Sequence, residues 1–249
     1  MEFADKGDLF QKITLCRKSQ AHFEEVDIWK IFIQMVKGLK SLHELKILHR
    51  DLKSANIFLF SDGIAKLGDL NVSKVSPRGL SCTQTGTPIY ASPEVWKDNP
   101  YDLKSDIWSL GVVTYEMIML KAPFTAKSME ELYKKIMKGK YPEIKNYSES
   151  LKYVISLLLE VNPLYRPDTK QILTLKEVKL KNEEYKIFKN YNYEKIMSYV
   201  IEILSFSFEA NIPELINCTL NVINTTEFSN LFYNRNIYYI ISNKLSKRI

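Results

Sequence analysis

Between Asp102 and Leu120 the chain is apolar on nearly every side of a helical wheel, with Ile107, Trp108, Leu110, Val112, Val113, Met117 and Ile118 spread around the circumference. A helix without a polar face belongs at the centre of a domain, so other elements must wrap it. The sequence supplies suitable partners. From Ile28 to Leu42, the residues Ile28, Phe32, Met35, Val36, Leu39 and Leu42 recur at helical spacing and mark one buried face. Ser128 with Glu131 reads as a capping box ahead of Leu132 and Ile136, and Gly139 ends that helix. Leu151 to Leu159 is another apolar helix, and Asp168 with Gln171 opens a short one over Ile172 and Leu173. The expectation is a mainly α fold.

One stretch has a different texture. Ile57-Phe58-Leu59-Phe60, then Ser61-Asp62-Gly63, then Ile64-Ala65-Lys66-Leu67 reads as a small β-hairpin. Asn71 to Pro88 is rich in Ser, Thr, Gly and Pro, and loops of that length inside a domain usually carry function. From Lys176 onward glycine vanishes, Pro213 is the sole proline, and Asn, Tyr, Ile and Lys rise. Tyr193–Phe208, Pro213–Ile223 and Phe228–Ile241 are read as short helices in an appendage that is helical or partly disordered.

Composition excludes several classes. With 45% hydrophobic and 26% charged residues, the 249-residue chain has an ordinary globular balance. Its net charge of +6 is mild and its lysines are dispersed, which reads as a solvated surface and not as a nucleic-acid interface. Cys16, Cys82 and Cys218 lie far apart with no C-x-x-C pair, so neither a disulfide framework nor a zinc site is indicated. The start, Met1-Glu2-Phe3-Ala4-Asp5-Lys6, lacks the basic and apolar regions of a signal peptide, and no apolar run reaches membrane-spanning length. The expected setting is cytoplasmic, with cytoskeletal or nuclear association left open.

The chemistry is concentrated in His49-Arg50-Asp51-Leu52-Lys53-Ser54-Ala55-Asn56, which has the form H-R-D-L-x-x-x-N. A second acid, Asp69, follows the hairpin in Gly68-Asp69-Leu70-Asn71. Either aspartate alone would read as a cap or turn residue; the two at this spacing do not. The pattern resembles eukaryotic-type protein kinases, and Lys53 at its place in the loop resembles the serine/threonine type. The resemblance implies phosphoryl transfer from ATP, with Asp51 accepting the proton of the substrate hydroxyl and Lys53 stabilising charge on the transferring group. Asn56 and Asp69 are the implied ligands of magnesium (Mg2+). Leu70 stands where the family has Phe, which keeps an apolar plug. Asn71 stands where it has Gly, and Asn is the next most tolerant of positive φ.

Gly86-Thr87-Pro88-Ile89-Tyr90-Ala91-Ser92-Pro93-Glu94 is similar to the end of a kinase activation segment. The resemblance implies that Thr87 sits near Asp51 and Lys53 and helps form the substrate pocket. It also implies that Glu94 pairs with Arg166 of Asn162-Pro163-Leu164-Tyr165-Arg166-Pro167 as a structural, not catalytic, contact, and that Asp106 anchors the backbone of the catalytic loop. Thr83 is the expected phosphorylation site, where an activating kinase would order the loop through pairing with Arg50.

Within kinases, the chain is most similar to the NIMA-related (NEK) family. The carriers are Met1-Glu2-Phe3-Ala4-Asp5-Lys6-Gly7-Asp8-Leu9, the Gly-Thr-Pro-x-Tyr-x-Ser-Pro-Glu run, and Val161-Asn162-Pro163 before Arg166. By this resemblance the opening residues are the hinge between two lobes, with Met1 at the gatekeeper position. Backbone groups of Glu2 and Ala4 would bond the adenine edge, Phe58 would form the floor beneath the ring, and Asp8 would reach the ribose or the peptide. The expected domains are a kinase hinge and C-terminal lobe over residues 1–178 and an extension of unknown role over 179–249. The glycine-rich loop, V-A-I-K lysine and αC glutamate of the smaller lobe are missing, and no G-x-G-x-x-G occurs anywhere in the chain. Two readings follow: a serine/threonine kinase acting on protein substrates whose N-terminal lobe is absent from this sequence, or a catalytically dead kinase-like binding module.

Overall fold

A computed structural model describes residues 4–69 and 88–184. The fold is mainly helical. At its centre is α4 (Leu103–Met119), in which every residue from Ser105 to Ile118 is buried. Asp102 starts this helix by accepting the N–H groups of Lys104 and Ser105, while the Ser105 hydroxyl oxygen accepts the Asp102 N–H in return. That reciprocal cap satisfies donors that a buried helix end cannot give to water. Trp108 stacks on Phe124 with centroids 5.5 Å apart. This pair fills the space beside α4 with two fully buried rings.

Helix α2 (Glu25–Glu44) packs along α4. Its buried face is wider than the expected stripe, adding Trp29, Ile31, Ile33 and Gln34, because it touches α4, the helix Thr169–Thr174 and a strand at once. Strands β1 (Ile57–Leu59) and β2 (Ala65–Leu67) form a two-stranded antiparallel sheet with Phe58 opposite Lys66. Helix α6 (Glu149–Leu158) packs against α4, and α7 (Thr169–Thr174) carries a full capping box between Asp168 and Gln171.

Helix α5 (Met129–Lys138) ends on Gly139 at φ 62°. Its expected capping box is only half formed. The Ser128 hydroxyl accepts the Glu131 N–H at 3.2 Å, but the Glu131 carboxylate turns to the N–H of Lys127 and to the ammonium of Lys135. A cation one turn along the helix competes successfully for that carboxylate.

Three helices were not expected from periodicity. α1 (Leu9–Lys18) buries only Leu9 and Ile13, α3 (Pro93–Trp96) is a single turn, and α8 (Lys176–Glu184) buries only Val178. Each buries too narrow a face to leave a repeating signal. α8 runs without a break across the 178/179 boundary expected from the resemblance. The 71–87 part of the expected loop and the expected helices beyond residue 192 lie outside the described residues. No helix among the described residues is long and apolar enough to cross a membrane.

Candidate functional site

The segment His49–Asn56 leaves α2 and returns to β1 without regular structure until the 3-10 turn Ser54–Asn56. It is fixed from below by Asp106 of α4. The Asp106 carboxylate accepts the backbone N–H of His49 at 3.0 Å and of Arg50 at 3.1 Å. It also accepts the Tyr101 hydroxyl at 2.6 Å and lies 2.9 Å from His43 Nε2. Asp106 is 0% exposed. Burial alone would push its carboxyl up, but the bonds from His43, Tyr101 and His49 outweigh it and hold the group below the usual carboxylate range. The same site pushes the Tyr101 phenol well above its ordinary value, through burial and the neighbouring charge of Asp106. The His49 ring is buried, and neither ring nitrogen has a partner among the described residues. Burial holds its pKa below the ordinary imidazole value, against the raising effect of the nearby Asp106 and Asp51 charges.

Above this anchor, three side chains converge. Lys53 Nζ lies 2.8 Å from Asp51 Oδ2. Asn56 Nδ2 donates to the Asp51 carbonyl at 2.8 Å and to Asp51 Oδ2 at 3.3 Å. The Asp51 carboxylate is thus fixed in rotation by two donors on one oxygen. Turning its nitrogen toward Asp51 puts the amide oxygen of Asn56 on the opposite side.

Asp69 reaches the site along the hairpin. The N–H of Gly68 donates to the Asn56 carbonyl at 2.9 Å, so the residue before Asp69 is bonded to Asn56 itself. Asp69 then turns with φ 53°. Asn56 and Asp69 offer an amide oxygen and a carboxylate, hard donors suited to Mg2+, which usually takes one or two protein oxygens and completes its shell with phosphate and water. The donor set fits the ion that the family implies. No larger cluster of His, Cys, Asp and Glu that could hold a metal occurs among the described residues.

The opposite edge of β1 is covered by the segment leading into α1. Lys6 N–H donates to the Leu59 carbonyl at 3.2 Å, Leu59 N–H to Gly7 at 2.9 Å, and Asp8 bridges Phe58. The Ala4 carbonyl accepts the Gly7 N–H at 3.1 Å. Asp5 accepts the Ser61 N–H at 3.0 Å, and hydrogen bonding from Ser61 holds its carboxyl below the ordinary value. Asp8 caps α1, both of its oxygens accepting from Gln11 at 2.8 Å. The Phe58 ring lies against Gly68: a Cβ there would stand 2.3 Å from the ring. Glu2, Thr83 and Thr87 lie outside the described residues.

Glu94 and Arg166 meet as a two-pronged pair, with Nη1 to Oε1 at 2.7 Å and Nη2 to Oε2 at 2.6 Å. Arg166 is 1% exposed. Its remaining donors go to the carbonyls of Glu160, Lys104 and Val161, and its guanidinium lies 5.2 Å over Trp108. Burial pushes the Glu94 carboxyl up, but Arg166 and Ser105 outweigh it and hold it low.

Two arrangements were missed by sequence reasoning. The Tyr90 hydroxyl donates to Glu116 Oε2 at 2.8 Å and lies 3.1 Å from the Ser54 hydroxyl, tying the His49–Asn56 segment to the chain that follows Pro88. Glu116 is 4% exposed, and burial pushes its carboxyl up. The available signal was a second acid, after Asp106, in a largely apolar helix. The second is Gln34, a buried amide on α2 that contacts the hairpin.

The protein kinase domain family model matches residues 1–177. The serine/threonine-protein kinase Nek3 of Mus musculus is 42% identical over 176 residues, 70% of this chain and 34% of that protein. Nek1 of Mus musculus is 43% identical over 176 residues, 70% of this chain and 14% of its own length. Nek5 of Homo sapiens is 42% identical over 177 residues, 70% of this chain and 25% of its own length. The chain thus spans about a third or less of the length of these relatives. With most of its length matched by one family model, the chain belongs to the protein kinase family, and the relatives it resembles are serine/threonine kinases of the NIMA-related (Nek) group.

Proposed function

We propose that this chain carries the hinge and C-terminal lobe of a serine/threonine protein kinase that transfers the γ-phosphoryl group of ATP to a protein hydroxyl. The observation that carries the reading is the convergence of Lys53 and Asn56 on Asp51 Oδ2. In the proposed reaction a bond forms between the substrate oxygen and the γ-phosphorus, and the bond to the β–γ bridging oxygen breaks. ADP leaves, and the hydroxyl proton passes to Asp51. Lys53 orients Asp51 and offers its charge to the transferring group. Mg2+, when bound, neutralises phosphate charge, and Asn56 and Asp69 are the residues to hold it. Backbone groups of Glu2 and Ala4 take the adenine edge over Phe58, with Asp8 toward the ribose or peptide. Thr87 shapes the substrate pocket, and phosphate placed on Thr83 by an activating kinase pairs with Arg50. The partners are proteins bearing Ser or Thr, and the setting is cytoplasmic, with cytoskeletal or nuclear association left open.

One observation favours a narrower role for these 249 residues alone. They contain no G-x-G-x-x-G to cover the phosphates, and electrostatic stabilisation is strongest where water is excluded. The chain by itself is therefore proposed to be inactive, serving as a kinase-like binding module unless a phosphate-covering segment is joined to it. Incubating the 249-residue chain with Mg2+, ATP and a serine peptide tests this. Negligible phosphate transfer is expected; robust transfer abolished by Asp51→Asn would contradict it.

A further inference from the structure

Helix α2 grips the hairpin at two places on one face. At Gly38 it comes so close to β2 that a Cβ would stand 3.0 Å from Leu67 Cδ1. One turn earlier, the side chain of Gln34 reaches the turn: its Oε1 accepts the N–H of Ala65 at 2.6 Å and its Nε2 donates to the Gly63 carbonyl at 3.1 Å. A backbone N–H needs an acceptor and a carbonyl needs a donor, so these partners fix the orientation of the amide. Gln34 is 2% exposed.

The phase of the sheet shows why this contact matters. Cross-strand bonds join Phe60 N–H to Ile64 and Gly68 N–H to Asn56. Alternation along an antiparallel pair then points the N–H of Ala65 away from β1. Ala65 is buried, so water does not serve this edge donor. A buried N–H without a partner is costly, and Gln34 supplies the acceptor. The hairpin so held carries Asn56 at the entry of β1 and Asp69 just beyond β2, joined by the Gly68–Asn56 bond.

We propose that Gln34 is a positioning residue for nucleotide–metal binding, its carboxamide pinning the hairpin so that Asn56 and Asp69 keep a fixed mutual spacing. This rests on the reading of Asn56 and Asp69 as metal ligands. Removing the amide loosens the hairpin and weakens metal affinity by about tenfold, the loss typical of an outer-shell support.

The test uses the protein as its gene encodes it, as wild type, Gln34→Met and Ile155→Val. Met conserves volume but makes neither bond. Ile155 is a buried residue of α6, which packs on α4 and α8, and its substitution controls for loss of stability alone. Two quantities are read: hydrogen–deuterium exchange in peptides covering residues 57–69, and the affinity for Mn2+ in the presence of ATP. Gln34→Met is expected to accelerate exchange in those peptides and to weaken Mn2+·ATP binding about tenfold. Ile155→Val is expected to lower the melting temperature while leaving both readouts at wild-type values. Unchanged exchange at residues 57–69 in Gln34→Met overturns the proposal, as does faster exchange with wild-type Mn2+·ATP affinity. If wild type binds no Mn2+·ATP while Gln34→Met still accelerates exchange, the pinning of the hairpin stands and the metal-site reading falls.

Discussion

The backbone N–H of Arg50, a non-glycine residue at φ 66°, donates to Oδ1 of Asp106 at 3.1 Å. A left-handed conformation at such a residue costs on the order of 1–2 kcal/mol and persists only where its surroundings hold it. Asp106 also takes the N–H of His49, so a single buried carboxylate on the central helix sets the path of the chain into Asp51. Asp106→Asn replaces one acceptor oxygen with a donor, leaving a buried N–H opposed. It is expected to destabilise the fold by about 2 kcal/mol, read as a lower urea midpoint at unchanged slope.

Glu94 and Arg166 should behave asymmetrically. Arg166→Met leaves a buried carboxylate without its partner, a loss of about 3–5 kcal/mol, whereas Glu94→Leu with Arg166→Met removes the charge as well. Urea unfolding of both single variants and the double should show a double variant much less destabilised than the sum of the singles.

Acid should weaken the fold through Glu94 and Asp106. Both carboxyls are held low in the folded state, by Arg166 and Ser105 for the one and by His43, Tyr101 and His49 for the other, against the opposing effect of burial. Their contribution is fully present above the unfolded carboxylate range near about pH 4 and is lost as pH falls through the lower folded values. Glu116 has the opposite sign. Burial raises its pKa, so its ionisation costs stability as pH rises from the unfolded value through the folded one. Glu116→Gln keeps an acceptor for Tyr90 and should raise stability at neutral pH. Urea midpoints from pH 3 to pH 8 should show a flatter profile for Glu116→Gln above about pH 4 and a steep acid-side loss retained in both proteins.

The contact between Gly68 and Phe58 makes a steric prediction. Gly68→Ala would push a methyl group into the Phe58 ring, at a typical overpacking cost of about 1–3 kcal/mol. Since that ring is the proposed adenine floor, binding of a non-hydrolysable ATP analogue should weaken. Phe58→Leu in the Gly68→Ala background should recover part of it.

Much of this was legible in the sequence, for physical reasons. The 102–120 helix declared its central place because no polar face was left for solvent, and the Asn56–Asp69 spacing was visible because a short hairpin joins them in sequence. The helices that bury one or two residues were not legible: α1 and α8 are held by contacts elsewhere in the chain, and their own periodicity is weak. The braces at Gln34 and Glu116 sit inside faces otherwise apolar. Sequence alone marks such a residue as out of place without saying which distant backbone group or hydroxyl meets it.

The most direct test is phosphate transfer by the protein as its gene encodes it, wild type against Asp51→Asn, with ATP affinity measured alongside. If Asp51 is the proton acceptor held by Lys53 and Asn56, transfer to a serine peptide should fall by about 10²–10⁴-fold while ATP affinity stays close to wild type. Transfer by Asp51→Asn at the wild-type rate would contradict it.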